Sequence, residues 1–137
     1  MGIIQYKKGT QFEQEFAKIL SSNGFWACVI PKARDGSQPF DVIAEINCKA
    51  YNFDCKTLKG YKFPLSRVEE NQERAFRKLE RCGCDNNYFA VKCDSGEVYI
   101  VPAVTMIMFK AAGDKYINVK EGILLEDFII NLGVGIC

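Results

Sequence analysis

The sequence predicts a mixed α/β domain: a central mixed sheet of about five strands with helices on both sides. Three observations carry that expectation. An amphipathic helical pattern opens the chain, two pairs of strand-like runs are each joined by a short polar turn, and a second amphipathic helix separates the pairs. The chain has 137 residues, 48% of them hydrophobic, which suits one domain over 1–137 with one sizeable core. No stretch approaches the roughly 18 consecutive apolar residues needed to cross a bilayer. The opening MGIIQYKKGTQFEQEF turns charged and helical too early for a secretory signal, so the expected location is the cytoplasm.

The first helix is read from KKGTQFEQEFAKILSSNGF. Thr10 can cap it, Glu13 stands three residues later as in a capping box, and Phe12, Phe16, Ile19 and Leu20 recur on one face. Gly24 stops it, and FWACVI reads as a strand. PKARDGSQP has turn and loop chemistry. FDVIAEI and YNFDCKTL then read as a hairpin turning at NCK, and LKGYKFP as a loop. Ser66 can cap a second helix running to about Arg81, with Glu69 three residues on and Val68, Gln72, Ala75, Phe76 and Leu79 on one face. YFAVKC and EVYIV form a second hairpin across DSG. Pro102 to Lys110 favours a short apolar helix through proline at its first turn, although its β-branched residues favour strand. A short KYINV strand and a helix around Leu124 to Asn131 complete the chain.

Seven cysteines raise the question of disulfides or zinc, yet their spacing supports neither. Cys28, Cys48, Cys55 and Cys93 lie in β-like runs, Cys82 and Cys84 make only a C-x-C, and the chain has no histidine. Reduced, mostly buried thiols are expected, because zinc held by Cys82, Cys84 and Cys93 would lack a fourth ligand. The net charge of +1 is unevenly placed. Residues 1–48 balance at five basic and five acidic, residues 49–81 carry nine against five, and residues 82–137 four against seven. That basic middle third permits a nucleic-acid face and equally fits a solvated surface.

Period-two alternation in YNFDCKTL sends Tyr51, Phe53 and Cys55 to one face and Asn52, Asp54 and Lys56 to the other. Asp54 and Lys56 then stand about 7 Å apart along the strand. Asp41, at the entrance of the preceding strand, can converge with Asp54 on a divalent ion. Two carboxylates suit magnesium, which lowers the pKa of its water and polarises phosphoryl oxygens. A neighbouring lysine can stabilise the transition state electrostatically or help to deprotonate the water. The second role requires Lys56 well below its ordinary pKa, which an adjacent carboxylate opposes and desolvation favours. The residues alone leave open a metal site and an ordinary surface Asp-Lys pair.

Pro39-Phe40-Asp41 followed by Asp54-Cys55-Lys56 resembles the PD-(D/E)xK nuclease signature. More narrowly, KGTQFEQEF, PFDVIA, NFDCKTLKGYKFPLSRVEENQ, YFAVKC and EVYIVP together resemble the RecU-type Holliday junction resolvases, from about Lys8 to Pro102. The resemblance implies a restriction-endonuclease-like fold, a Mg2+ cofactor with Mn2+ as a possible substitute, DNA as partner and a two-fold homodimer. It makes Asp41 and Asp54 the metal carboxylates, the Cys55 carbonyl a further ligand and Lys56 the catalytic lysine. Glu13 resembles the extra acidic residue of the site, though a capping-box glutamate needs no catalytic reason. Gln72 matches a glutamine that faces the active site, though backbone bonding would also satisfy it. Ser37 resembles a serine that archaeal relatives use near the scissile phosphate, and a turn serine fits as well. Arg67, Arg74, Lys78 and Arg81 form a basic stripe on the Gln72 helix, and Lys32, Arg34, Lys59 and Lys62 flank the pocket from loops. Such a set can neutralise phosphates, and pairs with Glu70 and Glu73 can account for part of it.

Two departures narrow the resemblance. RecU-type resolvases carry a long insertion before the P-x-D strand where this chain has only PKARDGSQ, a shorter form closer to archaeal resolvases. Asp54 also replaces the commoner glutamate of the E-x-K position, which brings the ion closer to the strand. The implied function is Mg2+-dependent hydrolysis of DNA phosphodiesters at four-way junctions. The alternatives are a phage or mobile-element nuclease without junction preference, or an inactive DNA-binding protein of the same fold. The stretch VPAVTMIMF can serve as dimer interface or as core.

Overall fold

The alternating segment at residues 49–58 becomes the longest strand and the axis of the molecule. The computed structural model describes residues 8–32 and 38–132, with residues 8–10 as backbone only. Strand β3 (Lys49–Leu58) pairs antiparallel with β2 (Val42–Ile46), Val42 opposite Phe53, and β2 pairs antiparallel with β1 (Trp26–Val29). The β2–β3 turn consists of Asn47 and Cys48, both at positive φ (54° and 61°), the two-residue geometry that matches strand twist.

From β3 the chain leaves the sheet through β4 (Lys62–Pro64), a 3-10 turn (Leu65–Arg67) and helix α2 (Glu70–Arg81). It returns as β5 (Asn87–Cys93), parallel to β3 with Asp54 opposite Phe89. A parallel partner requires such a crossover, whereas β6 (Val98–Pro102) follows β5 antiparallel across a tight turn. Helix α3 (Ala103–Ala111), β7 (Tyr116–Asn118), a 3-10 turn (Val119–Glu121), β8 (Ile123–Leu124) and α4 (Leu125–Asn131) follow. The large sheet has the order β1-β2-β3-β5-β6-β8, and β4 pairs with β7 in a second small sheet.

Alternation divides the apolar side chains between the two faces. Phe53, Cys55, Ala90 and Ile100 face helix α1 (Lys8–Ser22) and α4, whose Phe12, Phe16, Leu20 and Phe128 complete that core. Phe89, Val91, Tyr99 and Val101 face α2 and α3 with Phe63, Phe76 and Met106. Phe16 meets Phe53 edge-on at 4.9 Å between centroids, and Phe76 meets Phe89 at 5.5 Å. Rings buried this fully contribute about 1.5–3 kcal/mol each. Because both faces are covered, Asp54 lies under α2 and not in solvent.

The α/β class with helices on both faces holds, and α1 packs on the β2–β3 hairpin. Among the described residues the sheet has six strands and not about five, because the short β8 adds an edge. LKGYKFP is not all loop: β4 finds its partner β7 some fifty residues on, a pairing that no local pattern reveals. Helix α1 is already under way at Lys8, so Thr10 lies inside it and does not cap it. Ser66 belongs to the 3-10 turn, and α2 starts behind Glu69 as N-cap. The thiols are not mostly buried: among the described residues Cys28, Cys48, Cys82 and Cys84 are exposed, and only Cys55 and Cys93 are buried.

Candidate active site

The entrance of β2 meets the middle of β3 at a polar pocket of about 180 Å³, lined by Glu13, Lys32, Gln38, Asp41, Asp54, Cys55, Lys56, Glu69 and Gln72. Asp41 is locked by backbone bonds on both sides: its N–H donates to Phe53 O and its carbonyl accepts from Ile30 N–H, each at 2.8 Å. Its side chain follows, with Oδ2 accepting from the Cys55 N–H at 2.8 Å. Asp54 lies on the α2 face of β3 and is only 1% exposed. Gln72 reaches it from the first turn of α2, Nε2 donating to Asp54 Oδ1 at 2.6 Å while Oε1 accepts from the Glu69 N–H at 3.2 Å. The two bonds fix the orientation of the amide.

Two lysines serve the carboxylates. Lys56 Nζ stands 3.4 Å from Asp54 Oδ2 and 3.8 Å from Glu69 Oε1. Lys32 Nζ bridges Glu13 Oε1 at 2.6 Å and Asp41 Oδ1 at 3.1 Å. Burial pushes the Asp54 carboxyl well above the ordinary range, with the Lys56 charge opposing and Asp41 adding to the rise. Glu13 is raised for the same first reason, and Lys32 partly offsets it. Burial depresses the Lys32 ammonium, but its bonds to Glu13 and the charge of Asp41 outweigh that, so its pKa rises. Burial also drives the Cys55 thiol well up, which makes it a core group and no nucleophile.

A divalent ion fits this donor set chemically. Glu13 Oε2 and Asp54 Oδ2 are buried without a hydrogen-bond partner, the latter with only the Lys56 ion pair at 3.4 Å, and buried acceptors short of donors are costly unless a further cation or water answers them. All-oxygen donors suit a hard cation such as magnesium. Among the described residues, no three His, Cys, Asp or Glu side chains stand close enough to enclose a metal by themselves. Cys82, Cys84 and Cys93 form no such group among the described residues, and the carboxylate pocket is an open site with Lys32 wedged into it.

Residues 4–133 match the family model described as archaeal Holliday junction resolvase, Hjc. The chain belongs to the archaeal Holliday junction resolvase family. It is 33% identical over 98 residues to the crossover junction endodeoxyribonuclease Hjc of Methanocaldococcus jannaschii, covering 72% of this chain and 68% of that protein. The solved structure of Archaeoglobus fulgidus Hjc superposes with a TM-score of 0.67 at 19% identity, over 88% of this chain and 99% of that one. It has the same fold. A divalent metal cofactor goes with a nuclease family of this kind.

For this member of the Hjc family, the structure brings together Glu13, Asp41, Asp54, Cys55, Lys56 and Gln72. Among the described residues Glu13 Oε1 accepts from Lys32 Nζ at 2.6 Å. The basic residues divide. Lys32 is in the pocket and is engaged with acids. Lys59 and Lys62 mark the ends of the β3–β4 connection, Lys62 resting over the Tyr116 ring at 4.7 Å. Arg67 departs from the expected stripe, since its guanidinium donates to Thr57 O at 2.9 Å and stacks 5.2 Å from Phe63. Arg74 pairs with Glu70 at 3.3 Å in solvent, and Lys78 and Arg81 are exposed. Arg34 and Ser37 lie outside the described residues. Glu69 and Gln38 were missed. Glu69 had a signal in its spacing of three from Gln72, which reads as a helix start and says nothing about Lys56.

Proposed function

We propose that this chain is a structure-selective endodeoxyribonuclease that resolves four-way DNA junctions by hydrolysing phosphodiesters with a metal-activated water. The observation that carries the reading is the convergence of Glu13, Asp41, Asp54 and the Lys56 ammonium on one pocket, with Glu13 Oε2 and Asp54 Oδ2 buried there without a hydrogen-bond partner. Family membership supports the junction as substrate.

Glu13, Asp41, Asp54 and the Cys55 carbonyl would hold the ion, with Mg2+ expected and Mn2+ able to replace it. When bound, the ion supplies positive charge to the phosphoryl oxygens and acidifies a water. The protein supplies the rest. Gln72 keeps Asp54 Oδ1 occupied, so that Oδ2 faces the pocket. Lys56 places a fixed ammonium at the reacting phosphate, where charge in a water-poor site counts most. Lys59, Lys62, Lys78 and Arg81 neutralise phosphates farther along the arms, and Arg34 and Ser37 retain the DNA contacts that the resemblance implies.

Two symmetric nicks require two sites, so the working form is a homodimer in the cytoplasm. In this reading VPAVTMIMF is divided between core and contact. Ala103, Met106 and Ile107 are core, while Val104, Met108 and Phe109 remain exposed along α3 and form the proposed contact with a second copy. The test is cleavage of end-labelled four-way junction, duplex and single-stranded DNA in Mg2+, with Asp54→Asn as control. Paired symmetric nicks on the junction alone, lost in the control, support the proposal. Equal cutting of all substrates leaves a nuclease without junction preference, and metal-independent binding without cutting leaves a binding protein.

A further inference from the structure

We propose that the Lys32 ammonium is the resting counter-ion of this pocket, a monovalent place-holder that a divalent ion must displace from Glu13 and Asp41. The inference rests on the nuclease reading and goes further: it gives Lys32 a role in metal loading in addition to DNA contact. The ammonium joins carboxylates from two separate elements, α1 and the entrance of β2, at 2.6 and 3.1 Å. Those are the distances of charge-assisted hydrogen bonds, so in the metal-free protein Lys32 holds the two acids together as a cation would.

Exposure decides which partner moves. The Lys32 side chain is 45% exposed, against 5% and 10% for Glu13 and Asp41. The ammonium can swing into water on its flexible stem, but the carboxylates are tied to buried backbone. The formal charges agree. Among the described residues the pocket sets four carboxyl groups, Glu13, Asp41, Asp54 and Glu69, against the two ammonium groups of Lys32 and Lys56, an excess of acid that favours a cation. With both Lys32 and the ion on the same acids, repulsion in a partly buried site favours release of the more mobile one. The released lysine then stands at the mouth of the pocket, where a phosphodiester arrives. Substrate phosphates therefore draw Lys32 outward and ease metal entry, a coupling that is reciprocal between metal and DNA.

The experiment is titration with Mn2+ alone, followed by electron paramagnetic resonance, on the full chain without DNA. Wild type is compared with Lys32→Gln, Lys32→Arg and Asp54→Asn, each verified as folded by circular dichroism. Lys32→Gln is expected to bind Mn2+ tighter by roughly 5-fold or more, and Lys32→Arg, which keeps the charge, to stay near wild type. Unchanged or weaker binding by Lys32→Gln, with binding still abolished by Asp54→Asn, overturns the place-holder while keeping the metal site. No Mn2+ binding sensitive to Asp54→Asn in any variant overturns both.

Discussion

Replacing Asp54 by asparagine should stabilise the metal-free protein while abolishing cleavage. Asp54 is 1% exposed; its Oδ1 accepts from Gln72 at 2.6 Å, and its Oδ2 has no hydrogen-bond partner, with Lys56 3.4 Å away. Burial outweighs the attraction of Lys56, as the upward direction of the Asp54 pKa states. A neutral amide keeps an acceptor for Gln72 and removes the buried charge, a gain of about 1–3 kcal/mol. At this chain length that corresponds to about 3–10 °C in Tm. The pH dependence has a definite sign. A carboxyl whose folded pKa lies above its unfolded value, near 3.8, contributes stability that is present below the unfolded value and lost as pH rises through the folded one. Wild type in EDTA should therefore lose this contribution on going from acid towards neutral pH, and Asp54→Asn should not. Scanning calorimetry in EDTA at several pH values, repeated in Mg2+, measures both effects: the ion should raise the Tm of wild type and leave the variant unmoved. A variant that melts below wild type in EDTA at pH 7 would refute the reasoning, because Asp54 would then be a net stabiliser and its orphaned oxygen no strain.

Gln72→Ala removes the donor to Asp54 Oδ1 and the acceptor for the Glu69 N–H, and urea titration should show a loss of about 1–3 kcal/mol. Lys56→Met keeps the stem and discards the charge. Single-turnover cleavage should fall by about 10²–10³, with junction affinity in gel-shift assays within a few fold of wild type. Cys48→Gly relieves a left-handed residue at φ 61° in the β2–β3 turn and should raise stability by about 0.5–1 kcal/mol, measured by thermal unfolding.

Much of the candidate site's geometry is legible in the sequence because its elements are local and periodic. Strand alternation fixes the side on which Asp54 and Lys56 emerge, and a hairpin two residues wide brings Asp41 to them. Gln72 stood out as a polar residue on an apolar helical face. What remained hidden depends on distant chain segments. Nothing near Lys32 announces that it meets Glu13, nineteen residues earlier. Likewise β4 looks like loop until β7 comes beside it, and Arg67 looks like a phosphate ligand until Thr57 and Phe63 take it. The start of α2 departs from the sequence expectation because local propensity favours Ser66-x-x-Glu69 as the capping box, whereas the chain places Ser66 in a 3-10 turn and starts the helix behind Glu69. Cysteine exposure was misjudged because apolar neighbours along a strand do not say which side is covered.

The divided amide of Gln72 ties the chemistry to the order in which the chain acquires structure. Its oxygen closes the first turn of α2 on the Glu69 N–H, and its nitrogen holds the buried acid. A chain whose helix has frayed at that end has therefore also released Asp54, so on the proposed reading a half-formed molecule carries no assembled cutting site towards DNA. Exchange of the single Glu69 amide proton with solvent should consequently keep time with opening of the active site and run ahead of the unfolding of the sheet beneath it.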